Sequence, residues 1–366
     1  MDSLGGFGVG TARSPSEGAA CSAGGNACRG GRSPSGALHV PSPPSEVGPW
    51  PAAERFVGLT EEELAAVDPV VLNLAVARGI PALADLEIGR YVALADDWAA
   101  DIRRRLPRME PHFYRSPADW KSDIRFFRLG IVCWYVDEVL KVTYPDDLAD
   151  AGSRLYTDPL NVFVNGLMVR RRGSCANMPV LHLALGWRLG WPLSLACASN
   201  HLFCRYDDGE VTHNIEATAF GRGGFRSHPD AYYRRQYRIP EVAVACGSEL
   251  RALTPREMLG VFLGVRAHHR VRARRFRAAE EDLLLARHLF PRSRSLYGAQ
   301  MNLSLERGLY LFGQGEEGHP GNMARKLVGW LREASGSPTT YTIDTSEVCN
   351  VVDRDAECVT ILPTDW

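Results

Sequence analysis

The stretch RRRGSCANMPVLHLALGWRLGWPL, residues 170–193, decides how this chain is interpreted. A loop of arginine and glycine gives way at Cys175 to an apolar run with helical spacing over 176–189, and Gly190 with Pro192 ends that run. Three short runs that are typical of strands follow: LSLACA, HLFCRY and VTHNIEA. One apolar helix followed by adjoining strands predicts an α+β module.

Helical patterns precede this module. Thr60 and Glu63 form a capping box, and apolar residues recur at helical spacing through Val76 until Gly79 and Pro81 end the pattern. The sequence predicts one helix there and two more around 84–105 and 117–141.

Helical patterns also follow the module. A second capping box, Thr254-Pro255-Arg256-Glu257, places proline in the first turn of a helix. Helical periodicity continues to about 311, and RRFRAAEEDLLLARHLFPRSRSLYGAQ has the spacing of one tetratricopeptide-type helix pair.

The two ends of the chain differ in composition from the centre. Residues 1 to about 50 are rich in Gly, Ser, Pro and Ala, which predicts disorder. A Gly-rich linker at 313–322, a short helix near 323–334 and a tail that is disordered or forms an edge strand are expected at the other end. The predicted division is a leader 1–52, a helical region 53–154, a core 155–250, a helical, tetratricopeptide-like segment 251–335 and a tail 336–366.

Charge and cysteine content narrow the class of protein. With 42 basic and 43 acidic residues among 366, the chain has no overall field that would attract nucleic acid or an anionic membrane. Its nine cysteines form no CxxC pair, so we expect reduced thiols rather than zinc ligands or a disulfide framework. No secretory signal and no apolar run of about 18 residues is found, so we expect a cytoplasmic protein with no membrane contact, metal or cofactor.

The strands predict the neighbours of His201. In HLFCRYDDGEVTHNIEA, Asp208-Gly209 is the favoured centre of a two-residue turn, and that register sets Glu216 opposite His201. A carboxylate there can accept a ring N–H and orient the histidine as a base. Asn214 on the same face is the runner-up orienter, and a bulged turn would instead place Ile215 opposite His201.

Cys175 lies where a nucleophile would be activated. Ser174 or Cys175 can cap the helix, whose unpaired N–H groups favour a thiolate, and three arginines precede it. The Cys175 backbone N–H is a candidate oxyanion donor, with Asn161 and Asn165 as further candidates. Taken alone, a cysteine at a helix start is more often a small buried residue.

These residues together resemble the transglutaminase-like superfamily of papain-type cysteine enzymes. GSCANMPVLHLALGWRLGWPL resembles its nucleophile helix, SNHLFCRY its histidine strand and HNIEAT its acid strand. The resemblance implies a papain-like core in which the helix packs on an antiparallel sheet, with Cys175 as nucleophile, His201 as base and Glu216 as orienter. Glu replaces the usual Asp, and the helices on both sides resemble the bacterial SirB-like branch.

The resulting expectation is thiol-dependent acyl transfer or hydrolysis on an amide or ester of a peptide or protein, with hydrolysis favoured over cross-linking. The alternative is an inactive binding or scaffold module that contacts a partner protein through the helices of 251–335. Five other residues are expected to lie in the core or to serve in packing: His182, Cys197, Cys204, Trp187 and Trp191. A run of basic residues is expected on a solvated surface: Arg266, His268, His269, Arg270, Arg272, Arg274, Arg275 and Arg277.

Overall fold

The computed structural model describes residues 52–149, 152–219 and 225–313, together with two short strands at 341–342 and 360–361. Nearly all of the predicted leader lies outside the described residues, as do the Gly-rich linker beyond 313 and the predicted helix near 323–334. Within the tail, Tyr341–Thr342 pairs antiparallel with Thr360–Ile361.

The first helices are short and end at local signals. They are α1 (Glu54–Val57), α2 (Glu61–Ala65) and α3 (Pro69–Ala77). The Thr60 capping box is present, but the single helix predicted through Val76 is wrong. Asp68 starts a new helix there because its side chain accepts from the backbone N–H of Val70 at 2.8 Å, and Pro69 occupies the first turn.

Two longer helices complete the region before the core. They are α4 (Ile88–Arg115) and α5 (Ile124–Trp134), and a π-helical turn, Tyr135–Val139, extends α5. The predicted end of the first at 105 is wrong, since α4 continues through Pro107 and Pro111. Its buried stripe has helical spacing and packs into the main core: Ile88, Tyr91, Ala95, Trp98, Ala99 and Ile102.

The central module confirms the α+β class. After α6 (Asp146–Ala149) and α7 (Val164–Arg170), α8 (Met178–Leu189) ends at Gly190, whose φ of 73° is the left-handed conformation of a helix stop. The antiparallel sheet has the order β1 (Leu193–Ala198), β2 (His201–Asp207) and β3 (Thr212–Ile215). Helix α8 contacts β1 and β2, as the papain-like arrangement requires.

The two faces of the sheet enter different apolar clusters. Alternate residues such as Leu195, Cys204 and Ile215 lie in the main core with α8. The residues between them, including Ala196 and Phe203, pack in a second cluster with α9 (Asp230–Gln236) and α10 (Glu241–Ala245). The sheet is therefore covered on both sides.

Three helices follow the sheet: α11 (Pro255–Arg272), α12 (Phe276–Leu289) and α13 (Arg294–Gly313). The Thr254 capping box with Pro255 in the first turn is present as predicted. Helix α12 contacts both of its neighbours. Within the described residues, no helix combines the length and apolar character needed to cross a bilayer.

The basic run of α11 is not uniformly a solvated surface, which corrects the sequence interpretation. Arg266 is only 1% exposed, and its guanidinium donates to Asp282 of α12 at 2.6 Å and to Glu54 of α1 at 3.1 Å. Arg270 pairs with the same Asp282 at 2.7 Å. These ion pairs join α1, α11 and α12, and removing Asp282 would leave the buried guanidinium of Arg266 without its buried partner.

Candidate active site

Cys175 lies in a tight turn ahead of α8 and does not cap it. The N-cap residue is Asn177, and its amide instead closes the turn: Oδ1 accepts from the Ser174 N–H at 2.8 Å and Nδ2 donates to the Phe163 carbonyl at 3.1 Å. Ser174 Oγ accepts from the Ala176 N–H at 3.2 Å. Ser174 and Asn177 are fully buried while Cys175 between them is partly exposed, so the turn presents the thiol.

Gly173 allows this turn to pack closely. A Cβ atom at this position would meet Asn177 Oδ1 and a Leu167 methyl group, each at 2.6 Å. Two backbone hydrogen bonds join this stretch to Thr143. The Thr143 N–H donates to the Arg171 carbonyl, and the Gly173 N–H donates to the Thr143 carbonyl. A side chain at 173 would therefore displace the residues that present Cys175.

The arginines before the turn are engaged elsewhere. Arg170 pairs with Asp158 and Arg172 with Asp147, each at 2.6 Å. The Arg171 guanidinium lies 4.6 Å from the centre of the Trp98 ring. The positive charge that the sequence places beside Cys175 is thus held by other partners.

The predicted hairpin register is wrong by two residues. Arg205 pairs with Asn214 and Asp207 pairs with Thr212, so four residues rather than two connect the strands. The Asp208 side chain explains the longer turn, since its Oδ1 accepts from the N–H groups of Glu210 and Val211 at 3.0 and 2.9 Å.

Glu216 nevertheless reaches His201. Side chains alternate along a strand, so a shift of two keeps both residues on the predicted face. His201 Nε2 donates to Glu216 Oε2 at 2.9 Å, and both side chains are buried. The second oxygen, Oε1, accepts from the Thr218 hydroxyl at 2.6 Å and from its N–H at 3.1 Å, which fixes the carboxylate.

The second neighbour of His201 is Cys175. Burial alone would disfavour a charge on the ring, but hydrogen bonds with Cys175 and Glu216 and the attraction of their charges raise the pKa of His201 to about 10. Since Nε2 is taken by Glu216, Nδ1 is the nitrogen available to the thiol. The pKa of Glu216 is lowered, because the interactions with His201 and Thr218 outweigh its burial.

Asn214, the runner-up orienter, is placed against other groups. It accepts from Arg205 Nε at 2.9 Å, and its Nδ2 donates to the His228 carbonyl and to Asp230 at 2.8 and 2.9 Å. Arg205 also donates to Asp230. Asn214 therefore belongs to a polar network that ties β2 and β3 to α9.

The oxyanion candidates lie near the turn but not on the thiol. The Asn161 carbonyl accepts from Ser174 Oγ at 2.8 Å, and its side-chain oxygen accepts from Arg170 at 3.4 Å. Asn165 is buried on α7, and its Oδ1 has no hydrogen-bond donor among the residues that the structure describes. Within that part of the chain neither side chain hydrogen-bonds to Cys175.

Three tyrosines close to the site were not found from the sequence. The pKa of Tyr156 is raised by burial and by negative charge on Cys175, and that of Tyr237 is raised by burial and by charge on Glu216 and Cys175. Tyr233 is fully buried, and its pKa is raised by burial and by Glu216. Tyr233 and Tyr237 follow a loop whose course the sequence does not reveal, although the aromatic content of DAYYRRQY was a usable signal.

Other candidate residues belong to the core, as predicted. His182 is buried in α8, where Nδ1 contacts the Met178 carbonyl at 2.9 Å and burial lowers its pKa to about 4. Cys197 and Cys204 are buried, and Cys204 lies on the sheet face opposite to His201. Cys204 donates to the Pro179 carbonyl at 2.9 Å.

A comparison with protein families agrees with this geometry. Residues 92–263 match the model of the transglutaminase-like superfamily. The match covers slightly less than half of the chain. It begins within α4 and ends within α11, and it is therefore wider than the core predicted at 155–250. No curated protein and no solved structure was found to be similar.

Proposed function

We propose that this protein is a cysteine-nucleophile enzyme that transfers or hydrolyses the acyl group of an amide or ester in a peptide or protein. The observation that supports it best is the position of His201, whose Nε2 is held by Glu216 at 2.9 Å and whose pKa is raised by interaction with Cys175 as well as with Glu216. A nucleophile, a base and an orienting acid in that order form the arrangement that activates a thiol.

In the proposed reaction, His201 holds the proton of the Cys175 thiol and the thiolate attacks the acyl carbonyl carbon. A carbon–sulfur bond forms, and the tetrahedral oxygen faces the backbone N–H of Cys175. Collapse breaks the bond to the leaving amine or alcohol, which takes the proton from His201. Water, deprotonated by His201, then attacks the thioester, releases the acid and restores the thiol.

Two finer parts of this proposal have different support. Helices on both sides of the matched region support placement in the bacterial SirB-like branch. Hydrolysis is favoured over cross-linking on the reasoning from the sequence, and a peptide or protein is the proposed substrate.

A binding role through the helices after the core is the second candidate. Three apolar side chains on α12 and α13 are exposed: Leu284 at 58%, Tyr297 at 39% and Met301 at 54%. A partner protein that covered these side chains would bury apolar surface, which favours association. This role is compatible with an active core, and it becomes the main function if the thiol is unreactive.

Alkylation by iodoacetamide as a function of pH separates the two. We expect Cys175 to react well below the pH at which an ordinary thiol, with a pKa of about 8.5, is ionised. Cys246 is exposed in the same chain and serves as the internal control. In His201→Ala, we expect the pH dependence of Cys175 alkylation to become the same as that of Cys246.

The enzyme proposal is wrong if wild-type Cys175 already reacts like Cys246. A nitrophenyl ester gives the complementary measurement, because acylation of Cys175 releases one equivalent of nitrophenolate in a burst. Cys175→Ala should abolish the burst, and Cys246→Ala should leave it intact.

A further inference from the structure

One aromatic ring covers a face of the His201 imidazole. The ring of Tyr237 lies parallel to it, with 5.0 Å between centroids and 12° between planes. Tyr237 follows the last turn of α9, and its backbone N–H donates to the Tyr233 carbonyl at 2.9 Å. Its own carbonyl accepts from Ser199 Oγ at 3.5 Å, and Ser199 lies in the turn that leads into His201.

The rings around Tyr237 restrict its movement. Tyr233 stacks on Phe203 of β2 at 4.1 Å with 9° between planes, and the planes of Tyr233 and Tyr237 differ by 11°. Tyr237 is thus one member of an ordered group of rings that begins on the same strand as His201. Because Phe203 and Tyr233 are fully buried, Tyr237 has a rigid support.

The edges and faces of the imidazole have separate neighbours. Glu216 takes Nε2 at its edge and Nδ1 is left for Cys175, so only the faces remain for apolar packing. A ring that must point one nitrogen at a carboxylate and the other at a thiol has to stay in a single plane. Rotation out of that plane would break the hydrogen bond to Glu216 and turn Nδ1 away from the thiol.

We infer that Tyr237 is a positioning residue: its ring holds the His201 imidazole in the plane that joins Cys175 to Glu216 and stabilises the imidazolium form. This inference rests on the function proposed above. The negative face of an aromatic ring attracts a cation within about 6 Å of its centroid, and the separation here satisfies that limit. The ring, rather than the hydroxyl, is the part that acts.

The test compares Tyr237→Phe and Tyr237→Leu in the full chain by the pH profile of Cys175 alkylation. Phe keeps the ring, so its profile should match wild type. Leu removes the ring, so alkylation of Cys175 should slow, with a rate at pH 6 that falls about tenfold. Tyr232→Leu is the matched control, since Tyr232 lies on the same helix but stacks on His228 at 3.8 Å.

A third variant keeps the test valid if Tyr237→Leu does not fold. Pentafluorophenylalanine at 237 keeps an aromatic ring of similar size but makes the potential on its face positive instead of negative, so the midpoint of the Cys175 alkylation profile should rise relative to Tyr237→Phe. A Phe variant that behaves like Leu, or a fluorinated variant with the midpoint of Phe, overturns the inference. Neither outcome contradicts the proposed function. The proposed function is contradicted by a different result, namely that wild-type Cys175 reacts like Cys246.

Discussion

Two buried histidines, His182 within α8 and His201 at the start of β2, meet opposite electrostatic conditions. Both are almost completely shielded from water. Burial lowers the pKa of His182 to about 4, whereas Cys175 and Glu216 outweigh burial at His201 and raise its pKa to about 10.

The difference shows that burial alone does not decide the charge of a histidine. His182 contacts a backbone carbonyl, which is neutral, while His201 contacts a carboxylate that is itself fixed by Thr218. A fixed negative partner is what separates the base proposed at His201 from a packing residue.

The largest expected effect comes from making the two sites alike. Glu216→Gln keeps the size of the side chain but removes its charge, so burial should dominate and the pKa of His201 should fall. We expect alkylation of Cys175 at pH 6 to slow by about a hundredfold. Thr218→Val is the control, and its alkylation rate should decrease less, because this change loosens the carboxylate without neutralising it. Equal alkylation rates in wild type and Glu216→Gln would show that the carboxylate does not act on the thiol.

The reverse contrast is expected at the other histidine. His182→Ala should leave the alkylation profile of Cys175 unchanged while lowering the free energy of unfolding by about 2–3 kcal/mol, because it opens a cavity in α8. Urea denaturation measures the second quantity. A change in the midpoint of the Cys175 profile would contradict the assignment of His182 to packing.

The pH dependence of stability should differ in sign between the sites. The folded pKa of His182 is depressed, so its contribution is complete above about pH 6.5 and is lost as the pH falls towards 4. The folded pKa of His201 is raised, so its contribution is complete below about 6.5 and is lost as the pH rises through 10. Each contribution is on the order of 1–2 kcal/mol.

Unfolding free energies at pH 5, 7 and 9 check these signs. His182→Leu should flatten only the acid side of the curve. Glu216→Gln should flatten the alkaline side and, because burial then dominates at His201, should add a loss of stability on the acid side. A variant that flattens the wrong side would contradict the corresponding assignment.

The smallest effect is expected at the turn before His201. The Ser199 carbonyl accepts from Ser295 Oγ of α13 at 2.7 Å, and the Ser199 N–H donates to Glu249 at 2.9 Å. Ser295→Ala should lower the free energy of unfolding by about 0.5–1.5 kcal/mol and slow Cys175 alkylation slightly. Ser304→Ala on the same helix is the control, since its hydroxyl donates only to the carbonyl of Gln300 one turn earlier, and it should alter neither quantity.

The sequence predicts elements well where one local signal dominates. Gly190 ends α8 and Thr254 starts α11 because a left-handed glycine and a capping box are properties of a few adjoining residues. The contact of Glu216 with His201 was found in spite of a wrong register, because an error of two preserves the face of a strand.

Other features depend on residues far away in the chain. Nothing near Asn177 indicates that its amide would close the turn through Phe163, and the run around Arg266 does not reveal that Asp282 lies opposite on α12. The position of Tyr237 over His201 depends on the path of 218–235, which has no periodicity. These features arise from tertiary packing, which local pattern does not encode.

The contacts of the Ser199 turn also determine where the chain can be cut. A recombinant fragment limited to 92–263 would end in the middle of α11 and would lack Ser295. It would also lack Asp68, whose carboxylate pairs with Arg188 of α8, and Asn73, which accepts from the Val164 N–H at 3.0 Å. The smallest piece worth expressing therefore runs from α1 through α13, because in a shorter one the turn before the proposed base would lose its contact with α13.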